Sequence, residues 1–165
     1  MTKIAFGGGC HWCTEAVFQS LKGVTKVEQG FVASVGAETA FSEAVIVHFN
    51  PKVMPLNVLT EIHLLTHKST SNHSMREKYR SAVYVFSEEY YQEVLLILAT
   101  LQLQFNVPII TKTLFFAGFK PSKEKFKDYY YNDPEKPFCK AFITPKLQFL
   151  LKTFTNYVIP RHRDN

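Results

Sequence analysis

The chain has 165 residues, 46% of them hydrophobic, 15% aromatic and 20% charged, a balance that suits one folded domain over residues 1–165 and excludes a disordered or fibrous segment. Lys and Arg exceed Asp and Glu by 19 to 14, yet the basic residues are scattered, with mild concentrations only at Lys120 to Lys127 and at Arg161 to Arg163. No stripe that tracks phosphates is therefore expected, and no nucleic-acid partner. No apolar run approaches the roughly 20 residues of a membrane helix; the longest, Val94 to Leu103, is broken by Thr100 and Gln102, so no membrane span is expected. The three cysteines are an odd number, and the N-terminus lacks the apolar run and cleavage site of a secretory signal. Both point to free thiols in a reducing cytoplasm.

In chain order, Thr2 to Phe6 is a predicted strand stopped by Gly7, Gly8 and Gly9. Cys13 to Leu21 has helical spacing at Ala16, Val17 and Leu21, and Gly23 closes it. Val24 to Val35 and Ser42 to Phe49 read as strands, the second placing Glu43, Val45, Val47 and Phe49 on one face and Ala44, Ile46 and His48 on the other. A helix from Pro55 to about Thr66, a polar loop from Lys68 to Glu77 and a strand from Ala82 to Phe86 follow. Ser87 is a candidate N-cap for a helix to about Phe105. Val107 to Phe116 is a predicted strand, Lys123 to Tyr131 a short helix, and Pro145 to Val158 a terminal helix opened by its proline. The order βαββαβαβ predicts an α+β fold in the style of a ferredoxin-like α/β sandwich, a mixed sheet covered by helices.

The densest chemistry lies at Gly7 to Glu15, where a strand hands over to a helix. Unpaired N–H groups and the positive end of the helix dipole at Cys10 favour its thiolate, and the Cys-X-X-Cys spacing to Cys13 does the same. Cys10 is the candidate nucleophile. Cys-X-X-Cys also occurs as half of a zinc site, but no second such pair accompanies it, so no metal is expected.

The run from Gly7 to Val24 closely resembles the active-site segment of the A-type peptide methionine sulfoxide reductases, whose signature is Gly-Cys-Phe-Trp followed by a helix. Further matches follow in order: Gly30-Phe31 with the family's Gly-Tyr, Ser42 to Val45 with its His-Ala-Glu-Val, Lys78 to Ser81 with its Gln-Tyr-Arg-Ser, and Asn132 to Cys139 with its Asn-Pro and Pro-Tyr-Cys. The resemblance implies reduction of methionine (S)-sulfoxide, free or in proteins, with no bound cofactor and with thioredoxin or another dithiol as reductant. It implies that Cys10 attacks the sulfoxide sulfur, that Glu43 supplies the proton to its oxygen, that Tyr79 hydrogen-bonds that oxygen, and that Trp12 packs against the substrate methyl. Cys10 would become a sulfenic acid, which a second thiol converts to a disulfide. Cys13, one helical turn away, is the nearer candidate, and Cys139 matches the resolving position of many relatives.

Several positions depart from the family pattern. His11 replaces a phenylalanine, which makes the substrate pocket more polar. The tyrosine before the glutamate is missing unless the hydroxyl of Thr39 or Ser42 substitutes, Ser74 stands for an aspartate, Phe126 for a histidine and Phe138 for a tyrosine. Two other functions fit the residues: a general thiol-disulfide oxidoreductase using Cys10 and Cys13, or a non-catalytic binding domain whose pocket has degenerated.

Overall fold

A computed structural model of the chain describes residues 2–159; the predicted basic cluster at Arg161 and Arg163 lies outside them. The elements are β1 (Thr2–Gly7), α1 (His11–Gln19), β2 (Val24–Ala33), β3 (Ser42–Phe49), α2 (Leu56–Leu65), β4 (Ala82–Val85), α3 (Glu88–Leu101), β5 (Lys112–Phe115), β6 (Gly118–Pro121), α4 (Tyr129–Asn132) and α5 (Thr144–Thr153). Six strands form one sheet in the order β5-β4-β1-β3-β2-β6. Its four central strands, joined as βαββαβ and antiparallel throughout, are the ferredoxin-like arrangement. β5 adds parallel to β4 at one edge and β6 antiparallel to β2 at the other, which makes the sheet mixed, as the sequence predicts.

Period-two alternation sorts the strands onto two faces. Ile4, Phe6, Val45, Val47 and Phe49 join Val17, Phe18, Leu59 and Ile62 of the helices in the main core, while Ala5, Ala44, Ile46 and Tyr84 form a smaller cluster on the other face. The predicted cap of α3 is present: the Ser87 hydroxyl accepts from the Tyr90 amide at 3.2 Å, with Glu88 and Glu89 in the first turn complementing the helix dipole. No helix among the described residues is long and apolar enough to cross a membrane.

Four expectations need correction, and one strand was not expected. α1 begins at His11 rather than Cys13, because its first turn carries the site residues and only later turns carry the apolar spacing. The strand expected over Val107 to Phe116 is confined to Lys112–Phe115. Pro108 has no N–H for a ladder, and the Ile110 amide is spent on the Ser69 carbonyl at 2.8 Å. β6 is an extra strand whose Gly-Phe-Lys-Pro sequence carries little strand propensity. The short helix over Lys123 to Tyr131 is interrupted at Asp128, which has φ +54°. The buried Glu15 carboxylate takes the Asp128 and Tyr129 amides at 3.0 and 3.2 Å, leaving only the single turn of α4. Finally, α5 stops at Thr153; beyond it the chain docks on the α1–β2 turn, with Lys22 N–H donating to Tyr157 O at 2.8 Å and Ile159 N–H to Ser20 O at 2.9 Å.

Candidate active site

Strand register assembles the site. Gly7 at the end of β1 faces Ala44 of β3, so the chain leaves the sheet beside Glu43, and α1 starts three residues after β1 ends. Gly30 of β2 also pairs with Ala44, and Phe31 with Glu43. Close approach dictates two glycines here: a Cβ on Gly30 would stand 2.2 Å from the Lys120 carbonyl oxygen and one on Gly8 2.5 Å from the His67 ring, whereas one on Gly9 would meet nothing within 4 Å. The His67 ring stacks on His63 at 4.1 Å and bonds Ser81 Oγ through Nε2 at 2.8 Å. Arg76 fastens the same turn to the following loop, donating to Gly8 O at 2.7 Å and Tyr79 O at 2.8 Å.

Cys10 is the N-cap residue of α1, and its carbonyl accepts from the Cys13 and Thr14 amides at 3.1 and 3.2 Å. The Cys13 thiol hydrogen-bonds the Cys10 sulfur and lowers its pKa; the Trp12 and Cys13 amides act in the same direction, against burial and the Glu43 charge. The same bond raises Cys13 strongly, reinforced by its burial and by the negative charge on Cys10. The two thiols of the first turn of α1 are thus driven in opposite directions, Cys10 toward thiolate and Cys13 toward thiol. Cys139 is fully buried in a π-helical turn, Cys139–Ile143, and burial raises its pKa. It packs with Cys13, Ala16, Tyr130 and Ile143, and Cys10 and Trp12 lie against that cluster. All three thiols are free.

Glu43 is only 6% exposed. Its carboxylate accepts the His11 amide at 3.2 Å, lies 3.4 Å from His11 Nε2 and 3.7 Å from the Lys78 ammonium. His11 is held from its other side by Nδ1 against Gly30 O at 2.8 Å and meets the Phe31 ring edge-on at 5.1 Å. Burial lowers the His11 pKa, partly offset by Glu43. Lys78 also sits 5.2 Å from the centroid of the Tyr79 ring, and its charge is favoured first by Tyr79 and then by Glu43, with Cys10 adding to both. Lys78 thus links Glu43 with Tyr79, and the Glu43 charge is felt at Cys10. Ser42 does not replace the missing tyrosine hydroxyl: its Oγ donates to Lys78 O at 2.9 Å and accepts the Arg80 amide at 2.8 Å. Thr39 is exposed.

A cavity of about 430 Å³ opens on Cys10 and is lined by Cys13, His67, Met75, Tyr79, Phe138 and Lys146 among others. Trp12 stands behind this wall, stacked on Tyr129 at 4.1 Å and on Phe126 at 5.6 Å, with Phe138 edge-on at 5.3 Å. Two positions that depart from the family pattern, Phe126 and Phe138, thus converge on one ring. Trp12 and His11 are not themselves among the residues lining the cavity. Sequence reasoning missed Glu15, Arg76 and Lys146. Glu15 lies in the predicted constellation, but its role requires Asp128 and Tyr129, more than a hundred positions away; Arg76 acts entirely on backbone carbonyls, which no side-chain pattern announces. Among the described residues no group of three or more His, Cys, Asp or Glu could hold a metal ion.

A ferredoxin-like α+β sheet with a cysteine of lowered pKa at a helix N-terminus, a second thiol one turn away and a buried carboxylate nearby fits a cysteine-dependent redox enzyme. The comparisons with known proteins specify which. The family model for peptide methionine sulfoxide reductase matches residues 2–157, and the peptide methionine sulfoxide reductase MsrA of Erwinia tasmaniensis is 32% identical over 168 residues, covering 93% of this chain and 94% of the relative. The chain belongs to the peptide methionine sulfoxide reductase family. Mxr1 of Saccharomyces cerevisiae in its reduced form shares the fold, with a TM-score of 0.71 at 24% identity over 83% of this chain and 88% of that one. Mxr1 in complex with Trx2 gives 0.62 at 22% identity over 75% and 82%.

Proposed function

We propose that this chain reduces the S-epimer of methionine sulfoxide, free or in proteins, acting as one domain over residues 1–165. The observation that carries the reading is the cysteine pair at the start of α1, with Cys10 at the helix N-cap and the Cys13 thiol bonded to its sulfur and lowering its pKa, beside the buried Glu43 carboxyl. Cys10 attacks the sulfoxide sulfur while the proton goes to its oxygen from the Glu43 side, with Tyr79 holding that oxygen. The protonated oxygen then passes to the Cys10 sulfur: the substrate S–O bond and the transient Cys10–substrate S–S bond break, a Cys10 S–O bond forms, the thioether leaves, and Cys10 is oxidised by two electrons to a sulfenic acid. His11 contributes through its amide, which orients the carboxylate, and through its ring on the polar wall of the site; Trp12 backs the apolar wall through Phe138 and Tyr129.

Formation of the sulfenic acid removes the Cys10 negative charge and changes the sulfur that Cys13 hydrogen-bonds, two of the three largest influences, with burial, that raise the Cys13 pKa. Cys13 can then ionise and displace water to form the Cys10–Cys13 disulfide. Cys139 is the alternative resolving thiol; its place in the same buried cluster supports contact with Cys13 more than with Cys10. Recycling by thioredoxin or a similar dithiol is supported by the shared fold of Mxr1, which forms a complex with Trx2, and a reducing cytoplasm suits three free thiols.

The deciding experiment offers both epimers of an N-acetylated methionine sulfoxide with dithiothreitol as reductant. Turnover of the S-epimer alone is expected. Reduction of disulfides without sulfoxide turnover would favour a general thiol-disulfide oxidoreductase, and inactivity towards both would favour a binding domain.

A further inference from the structure

The cavity beside Cys10 carries a charge that the reaction above does not use. Lys68 and Lys146 are among the residues lining it, and none of its described lining residues is Asp or Glu. Lys146 projects from the first turn of α5 and donates to the Thr66 carbonyl, which occupies one of its three N–H groups. Its charged neighbours are the Cys13 and Cys10 sulfurs and the Lys68 ammonium; burial and Lys68 push its pKa down while the two sulfurs hold it up. Among the described residues neither lysine has a carboxylate within ion-pair distance, whereas Lys78, on the Glu43 side of the thiolate, does. Lys146 is half-buried and Lys68 exposed, and their mutual repulsion is relieved when an anion enters the cavity. The sulfoxide group is uncharged, and its oxygen is already served by Glu43 and Tyr79.

Resting on the assignment of Cys10 as the sulfoxide nucleophile, the geometry points to a substrate that carries a carboxylate a few bonds from the sulfoxide sulfur, with Lys68 and Lys146 as the specificity-determining residues. Two sources supply that chemistry: the α-carboxylate of the free amino acid, or an Asp or Glu side chain next to the oxidised methionine in a peptide. The cationic side of the cavity selects the substrate, and the carboxylate side of Cys10 carries out the proton transfer.

The test compares kcat/KM for N-acetylmethionine (S)-sulfoxide with that for its methylamide, and for a capped Asp-Met(O)-Gly peptide with that for its Asn counterpart. The charged member of at least one pair is expected to win by about tenfold through KM, with the advantage shrinking at high salt. Lys68→Gln and Lys146→Gln each move that ratio toward one, and Lys68→Arg preserves it. A preference in the first pair alone identifies the α-carboxylate, and in the second alone the acidic neighbour. Equal kcat/KM within both pairs, or a ratio indifferent to both Gln variants, overturns the inference. Protection of Cys10 from alkylation by N-acetylmethionine against its methylamide reads the same preference without turnover, so the loss of all sulfoxide reduction would sink the proposed reaction while this measurement still decides the charge selectivity.

Discussion

Cys10 and Cys139 are the same functional group in opposite surroundings. Cys10 stands at the N-cap of α1, partly open to a cavity, with a thiol and two amides directed at its sulfur. Cys139 lies fully buried in a π-helical turn, with no such donors, and burial raises its pKa. The difference shows that surroundings set the reactivity of each thiol: at Cys10 the Cys13 thiol contributes most, and the Trp12 and Cys13 amides, available because a helix starts there, add to it. Cys13 belongs to both regions: it hydrogen-bonds Cys10 and packs against the Cys139 cluster.

The comparison breaks most visibly at Cys10. Cys10→Ser should lower sulfoxide reduction by about 10³-fold or more while leaving the fold intact, because a hydroxyl in the same place does not ionise at neutral pH; activity and circular dichroism measured together check both halves. Glu43→Gln keeps the shape and the bond to the His11 amide but has no proton to give. It should slow single-turnover reduction by about 10²-fold with little change in substrate binding, and an unaltered single-turnover rate would remove Glu43 from the reaction.

What the sequence announced follows the same division. The Cys10 region was legible because local signals overlap there: glycines at a strand end, a Cys-X-X-Cys spacing, and a β3 alternation that puts Glu43 on the buried face with Val45 and Val47. The βαββαβ order likewise sufficed for the central sheet. The region around Cys139 was not legible, because long-range partners shape it. Glu15 breaks the helix expected near Tyr129 by taking two of its amides, and the π turn that holds Cys139 leads directly into α5, which was expected to begin only at Pro145. The edge strands were hidden for a related reason, since β6 gains its identity from pairing with β2 rather than from its own composition.

Alkylation sharpens the contrast. With a lowered Cys10 pKa and a raised Cys139 pKa, the rate of modification of Cys10 should rise with pH below the ordinary thiol range, and that of Cys139 only above it or after unfolding. Cys13→Ala removes the largest contribution to the Cys10 shift, so the Cys10 profile should move to higher pH. The same variant should still reduce one equivalent of sulfoxide per enzyme, more slowly at neutral pH, and lose most of its turnover with thioredoxin. An unchanged alkylation profile would show that the helix N-terminus alone sets the Cys10 pKa.

The smallest effect is expected at Cys139, and it separates a structural thiol from a redox one. Cys139→Ala deletes one buried sulfur from the cluster of Cys13, Ala16, Tyr130 and Ile143, at a cost of about 1 kcal/mol in unfolding free energy through the small cavity left behind. Turnover with thioredoxin should change by less than about threefold, since a thiol one turn from Cys10 needs little backbone movement to reach disulfide range, whereas Cys139 must first leave a π turn in which it is fully buried. Peptide mapping after one stoichiometric equivalent of sulfoxide gives the complementary reading. A Cys10–Cys13 bridge as the main species agrees with the electrostatics, because oxidation of Cys10 removes both the thiolate acceptor and the negative charge that raise the Cys13 pKa, leaving mainly burial to oppose its ionisation. A dominant Cys10–Cys139 bridge would mean that the π turn opens during each cycle, and Cys139→Ala would then stall turnover instead of merely loosening the fold.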